Sequence, residues 1–245
     1  MTRNIEGRNP VTEALRSKTK IRAVYIELAT KDHPRIQAIV KLAQEKKIDV
    51  QELEDLSRMA KTKRYQGVIA IAEGEDKIKL KDVIDSAFDR REIPLFVVLS
   101  GTVYEYNLGS VMRSADAAGA TAVIASQNSF GLSPVVAKSS AGASEHVTFI
   151  QDNLFNALKT LRDAGIKIVA LKEGKQSIYE SRLDVPLALI VGAEDKGVNS
   201  GFDKFIDEYA GIPMKGKISS LNMAAAASIA MFEANRQRSK HITNG

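Results

Sequence analysis

The sequence contains no cysteine, which excludes disulfides, thiolate metal sites and cysteine nucleophiles. Histidine is scarce: His33, His146 and His241 are scattered and show no metal-ligand spacing, so no metal is expected. No apolar run approaches the roughly 20 residues that a membrane-spanning helix needs. The opening Met1-Thr-Arg-Asn-Ile-Glu-Gly-Arg8 lacks the apolar stretch of a secretory signal. The expected location is therefore the cytoplasm, away from membranes. Nucleotide-binding and hydrolase signatures are missing too. No Gly-x-Gly-x-x-Gly follows an apolar strand, no Gly-x-x-x-x-Gly-Lys-Ser/Thr is present, and no Gly-x-Ser-x-Gly elbow occurs.

What is there has the balance of a globular protein with a core, at 44% hydrophobic and 27% charged residues over 245 positions. That length fits one large domain or, more naturally, two smaller ones. Thirty-five Lys and Arg against 30 Asp and Glu leave a net charge of +5. A basic excess favours a polyanionic partner, because cationic side chains displace counterions from phosphates. The excess is concentrated early: Arg3, Arg8, Arg16, Lys18, Lys20 and Arg22 face only Glu6 and Glu13. A solvated surface is the competing explanation for such a cluster.

Hydrophobic spacing predicts alternating strands and helices. In the first part, a helix opens at Asn9-Pro10 and strands cover 23–28 and 67–72. Between these strands lie a helix from Pro34, a short strand at Val50 to Leu53 and a short helix from Leu56 to Ala60. A charged stretch around Gly74 marks a boundary, giving domains 1–74 and 93–245 with a linker at 75–92 that holds a short connecting helix. The second part is more apolar. Strands are expected at 95–99, 122–125, 167–171 and 187–191, with helices at about 108–118, from Leu154, and at about 220–237. The fold class is α/β with a mainly parallel sheet.

Ligands of open α/β sheets bind at the carboxyl ends of strands. Three polar turns lie there: Asn107-Leu-Gly-Ser-Val-Met-Arg113, Gly192-Ala-Glu-Asp-Lys-Gly197, and Ile212-Pro-Met-Lys-Gly-Lys-Ile-Ser-Ser-Leu-Asn222. In order and wording they resemble the three motifs of the SpoU/TrmH (SPOUT) family of RNA ribose 2′-O-methyltransferases, over most of 93–238. The segments Ile5 to Leu15 and Tyr65 to Ala70 resemble the N-terminal substrate-binding domain of a branch acting on large-subunit ribosomal RNA. That domain is similar to ribosomal protein L30e.

The resemblance implies a SPOUT domain whose C-terminal part threads a deep trefoil knot, S-adenosylmethionine as cofactor, ribosomal RNA as preferred substrate, and a homodimer. It implies Asn107, Arg113, Glu194, Ser220 and Asn222 as catalytic residues. Gly192, Ala193, Ile212, Met214 and Leu221 are implied cofactor contacts, and Arg8 and Arg113 RNA contacts. Each has a plainer reading: a surface arginine at 113, a helix cap at Asn107, a solvated carboxylate at Glu194, helix-start residues at Ser220 and Asn222. The family assigns its arginine to activating the 2′-hydroxyl. A neutral guanidinium costs about 7 kcal/mol or more at pH 7, so binding phosphate and stabilising a developing alkoxide is the role expected of Arg113. One departure stands out. Many relatives carry Asp-Pro followed by His, Arg or Tyr before the motif-one asparagine, whereas this chain has Tyr104-Glu-Tyr106. A transfer-RNA or antibiotic-resistance methyltransferase, and a non-catalytic RNA binder on the same fold, are the alternatives.

Overall fold

The computed structural model describes residues 2–74, 78–193, 197–217 and 220–242. The chain divides into two compact units, 1–76 with 130–146, and 77–129 with 147–245. Division by sequence into 1–74, 75–92 and 93–245 differs from this in two places. Residues 130–146 pack with the first unit, and the helix within 75–92 buries Leu80 and Ile84 in the core of the second.

The first unit contains β1 (Thr2–Glu6), α1 (Arg8–Arg16), β2 (Ile21–Glu27), α2 (Pro34–Glu45), β3 (Asp49–Leu53) and β4 (Val68–Glu73). Its sheet runs β1-β4-β2-β3. Strand β4 is antiparallel to both neighbours, and β2 is parallel to β3. Helix α1 turns Val11, Ala14 and Leu15 inward, and α2 contributes Ile36, Ile39 and Ala43 to the same core. Pro34 opens α2 at a position where a missing N–H costs nothing, beside the capping side chain of His33. Residues 56–60 form a turn rather than the expected helix. Just downstream, the Lys61 and Thr62 amides donate to the Glu6 carboxylate instead of continuing a helical ladder.

The 130–146 segment joins this unit through charge as well as packing. Arg3 donates two hydrogen bonds to Glu145, at 2.9 and 2.7 Å, and Thr19 adds a third at 2.9 Å. The Glu145 side chain is fully buried. His146 meets Glu13 at 2.9 Å, and an added Cβ on Gly142 would lie 2.8 Å from Glu13 side-chain carbons.

The second unit begins with α3 (Leu80–Asp89), β5 (Leu95–Ser100), α4 (Glu105–Ala117) and β6 (Ala122–Ser126). After the excursion carrying α5 (Pro134–Ser139) in the first unit, it continues with β7 (Thr148–Asp152), α6 (Leu154–Asp163) and β8 (Lys167–Ser177). It ends with β9 (Leu187–Gly192), β10 (Glu208–Gly211) and α7 (Met223–Ile242). All five pairings in its sheet are parallel, in the order β10-β8-β9-β5-β6-β7. Strand β5 lies inside the sheet and is buried at every position, as expected of a strand covered on both faces. Helices α4 and α7 pack together, with Ala224 and Ala227 buried and Ser228 bonded to Ser114 at 2.7 Å. Arg238 of α7 donates to the carbonyls of Ile93, Pro94 and Val185, at 3.0, 3.1 and 2.9 Å. Among the described residues no helix is long and apolar enough to cross a membrane.

Glu145→Ala removes the buried carboxylate that Arg3 and Thr19 hold, and breaking a buried pair of this kind costs about 3–5 kcal/mol. Urea unfolding should show that loss, and an unshifted midpoint would remove the pair from the forces holding 130–146 in place. A second prediction concerns pH. Burial pushes the Glu208 carboxyl up, but hydrogen bonds from Lys167 and Ser181 outweigh it and hold the group below the ordinary glutamate value. A depressed folded value stabilises above the unfolded one, about 4.3, and the benefit fades as pH falls through the folded value. Glu208→Gln should therefore melt below wild type at neutral pH and converge with it in acid. A gap that persists in acid would assign the effect to packing instead.

Candidate active site

The strands of the second unit end at one edge, and three close approaches tie those ends together. At Gly101 the backbone has φ +99°, and an added Cβ would sit 2.9 Å from the Cβ of Ala193. The turn after β9 is tighter still. Ala193 accepts from the Gly197 amide at 2.8 Å, and a Cβ on Gly192 would fall 2.1 Å from the Gly197 carbonyl carbon. Ser100 accepts from the Asn199 amide at 3.3 Å, linking the end of β5 to the far side of that turn.

Strand β8 supplies a third wall. Ala170 pairs with Tyr209 while Gln176 pairs with Ala210, so residues 171–175 loop out of register between adjacent positions of β10. Gly211 passes close beneath this loop, where a Cβ would meet the Lys172 and Lys175 carbonyl oxygens at 3.0 and 3.1 Å. Beyond Ile212, the side chain of Asn222 accepts from the Ala225 amide at 2.7 Å and caps α7.

Together these segments enclose a cavity of about 490 Å³. Gly192, Ala193, Ile212, Met214 and Leu221 all line it, as does Ser220. The sequence did not single out Lys172, Glu173, Ser200, Asp203 or Tyr209, which give the cavity its polar side. The Lys172 ammonium lies 5.1 Å from the centre of the Tyr209 ring, a cation–π distance. Tyr209 donates to Asp203, and burial together with that carboxylate pushes its phenol up to about 12. It stays a neutral donor under all ordinary conditions.

Other predicted residues stand elsewhere. Asn107 and Arg113 lie on α4 and do not line the cavity. Asn107 is inside the first turn rather than at the cap, which is Tyr104. Arg113 is exposed, and among the described residues its guanidinium has no hydrogen-bond or ion-pair partner. Tyr106, Ser110 and Arg113 form one exposed stripe of that helix. Glu194 lies outside the described residues. Arg8 belongs to the first unit, where it donates to the Gln66 carbonyl at 3.2 Å and meets His33 at 2.6 Å. Among the described residues no group of three His, Asp or Glu is placed to hold a metal ion.

Known proteins match this architecture along its length. The family model described as SpoU rRNA Methylase matches residues 94–232, and that described as RNA 2′-O ribose methyltransferase substrate binding matches 4–77. The 23S rRNA (guanosine-2′-O-)-methyltransferase RlmB of Ralstonia nicotianae is 37% identical over 240 residues, 95% of each chain. Its namesake from a Burkholderia species is 33% identical over 245 residues, covering 97% of this chain and 98% of the relative. A crystal structure of an RNA 2′-O ribose methyltransferase superposes with a TM-score of 0.78 at 25% identity, over 97% of this chain and 89% of that one. The AdoMet-bound rRNA methyltransferase from Sinorhizobium meliloti shares the fold, with a TM-score of 0.80 at 24% identity over 96% and 87% of the two chains. The chain belongs to the SpoU rRNA methylase family.

Proposed function

We propose that this protein methylates a ribose 2′-hydroxyl of large-subunit ribosomal RNA, with S-adenosylmethionine as methyl donor. The observation that carries the reading is the cavity at the strand ends, where turns from three separate parts of the sequence meet. Its size falls in the range of small-molecule sites, about 300–1,000 Å³. The lining suits the cofactor. Val191, Ile212, Leu221 and Met223 offer apolar walls for an adenine base, and Lys172, Glu173 and Asp203 offer charges to a zwitterionic amino-acid tail. When bound, the cofactor supplies a methyl group activated on a sulfonium centre.

The chain's own residues have several tasks. The glycine turns at Gly192 and Gly197 bring backbone close to the ligand, which a side chain at either place would obstruct. Asn222 caps α7 and so fixes the segment that brings Ser220 and Leu221 to the cavity. Arg113 holds a phosphate beside the reacting ribose and stabilises the alkoxide that develops on its 2′-oxygen. Asn107, nearly two turns earlier on the same helix, positions the ribose, and Glu194 orients the arginine. Arg113 does not line the cavity of its own chain, which supports a homodimer in which each Arg113 serves the cofactor site of the other copy. Exposed Tyr104, Tyr106 and Phe232, on or beside the packed α4–α7 pair, support the same arrangement. The return of the chain past the 171–175 loop supports a knotted C-terminal part. The mixed sheet of the first unit, with its helices, supports an L30e-like RNA-binding role.

Labelled methyl should pass from S-adenosylmethionine to deproteinised large-subunit RNA and appear in alkali-resistant nucleotides. Removing one stabilising donor costs about 10²–10³ in rate, so Arg113→Ala should fall by that order while Arg113→Lys recovers part of it. Label in transfer RNA alone would overturn the substrate, and equal rates in wild type and Arg113→Ala would overturn the role of the arginine. Gly192→Ala should weaken S-adenosylmethionine binding at least tenfold by calorimetry, because its Cβ has no room beside Gly197. Unchanged affinity would place the cofactor outside this cavity.

A further inference from the structure

Glu6 ends β1 with a carboxylate that is 0% exposed. Burying such a charge is costly unless hydrogen bonds replace its water. Its partners all come from one loop: the Lys61 amide at 2.6 Å, the Thr62 amide at 2.9 Å and the Thr62 hydroxyl at 2.7 Å. The loop reads Lys61-Thr-Lys-Arg64. An acidic residue beneath a cationic loop would ordinarily neutralise it through side-chain ion pairs. Here the carboxylate takes backbone amides instead. The side chains of Lys61, Lys63 and Arg64 are left exposed, and among the described residues none of the three makes an ion pair.

Two further contacts hold the same loop. Lys138, from the 130–146 segment, donates to the Arg64 carbonyl at 3.1 Å. Burial and then the nearby Arg64 guanidinium lower the pKa of that ammonium, and Glu6 offsets them only in part. Positive charge is therefore crowded here beyond what the local carboxylates cancel. On the other flank, Arg8 grips Gln66 through both its backbone amide and its guanidinium, at 3.1 and 3.2 Å. A loop pinned through two amides, one hydroxyl and one carbonyl, and whose cations make no ion pair, has a held shape and an unmet charge. Polyphosphate backbones meet that description, since each neutralised phosphate releases counterions and a prepared loop loses little entropy on binding.

We propose that Lys61, Lys63 and Arg64, flanked by Arg8 and Lys138, form the surface on which the first unit receives the phosphate backbone of its RNA, and that Glu6 is the positioning residue that holds this surface in shape. The inference rests on the reading of the protein as an RNA methyltransferase and names where that RNA is gripped. Lys61, Lys63 and Arg64 contact phosphates; Glu6 acts through them.

The test is filter binding of the full chain to deproteinised large-subunit RNA across a salt series, with thermal melting and S-adenosylmethionine calorimetry on each variant. Lys63→Ala/Arg64→Ala should bind more weakly, with the slope of log affinity against log salt reduced by about 0.7–0.9 for each cation removed. Its melting and cofactor affinity should match wild type. Glu6→Gln keeps every cation but loses part of the clamp. It should melt lower and bind RNA several-fold more weakly, with the wild-type salt slope. Lys41→Ala, exposed on α2, should match wild type throughout. A wild-type salt slope in Lys63→Ala/Arg64→Ala would sink the proposal and point to another partner for the loop, such as an acidic protein surface. Failure of the unaltered chain to bind or methylate any RNA would sink the functional reading itself.

Discussion

All the strands of the second unit run the same way, and much of its structure follows from that. A parallel pair cannot be closed by a hairpin, so each strand must return across a face of the sheet before the next begins. The faces are then covered by helices, and β5, flanked by β6 and β9, becomes a strand with no solvent side. Its six residues need no alternation, and each large apolar side chain buried there contributes about 1.5–3 kcal/mol. The amino ends of β5 and β9 share another edge, where Arg238 gathers carbonyls from the segments leading into both. Such charge-assisted bonds are worth about 1.5–3 kcal/mol each. With one edge fastened in this way, the opposite edge is free to be built of turns.

Those turns owe their convergence to small residues at close approaches. Gly192 and Gly101 permit the β9 turn to lie against its own return and against the end of β5. The β8 loop forms because two neighbouring residues of β10 pair with positions six apart on β8, and the slack has nowhere to go but outward. The apolar wall and the charged wall of the cavity thus come from different mechanisms: strand ends and turn glycines on one side, a register jump on the other.

How much of this was legible in the sequence differs by element. Strands β5, β6 and β9 announce themselves as uninterrupted β-branched and aliphatic runs. Strand β1 does not, because Thr2-Arg3-Asn4 carries no apolar signal and the strand exists by pairing with β4. Four-residue β10 is too short to have a period. The turn at 56–60 looked helical because its composition is that of a helix, whereas the two amides that follow it go to the distant Glu6. Among site residues, those adjoining glycines or motif asparagines could be picked out, and six of them line one cavity. Lys172, Glu173 and Tyr209 could not, since the loop that presents the first two arises from a register shift that no local pattern encodes. A polar run containing Gly174 directly after the β8 core was the one available hint of a fourth strand-end turn.

The excursion of residues 130–146 into the first unit has a consequence for how such proteins can be rearranged. A domain attached by one linker can be lost, gained or exchanged as a single stretch of gene. Here the chain passes between the units three times, and the first unit owns a piece of sequence embedded between two strands of the second. A cut at the linker would strip Arg3 of Glu145 and uncover apolar surface of α1 and β1. Any ancestor that traded its substrate-binding part for another had to trade two separated segments at once. Inheritance should therefore treat the halves as one piece, with changes in β1 tracked by changes more than a hundred positions away.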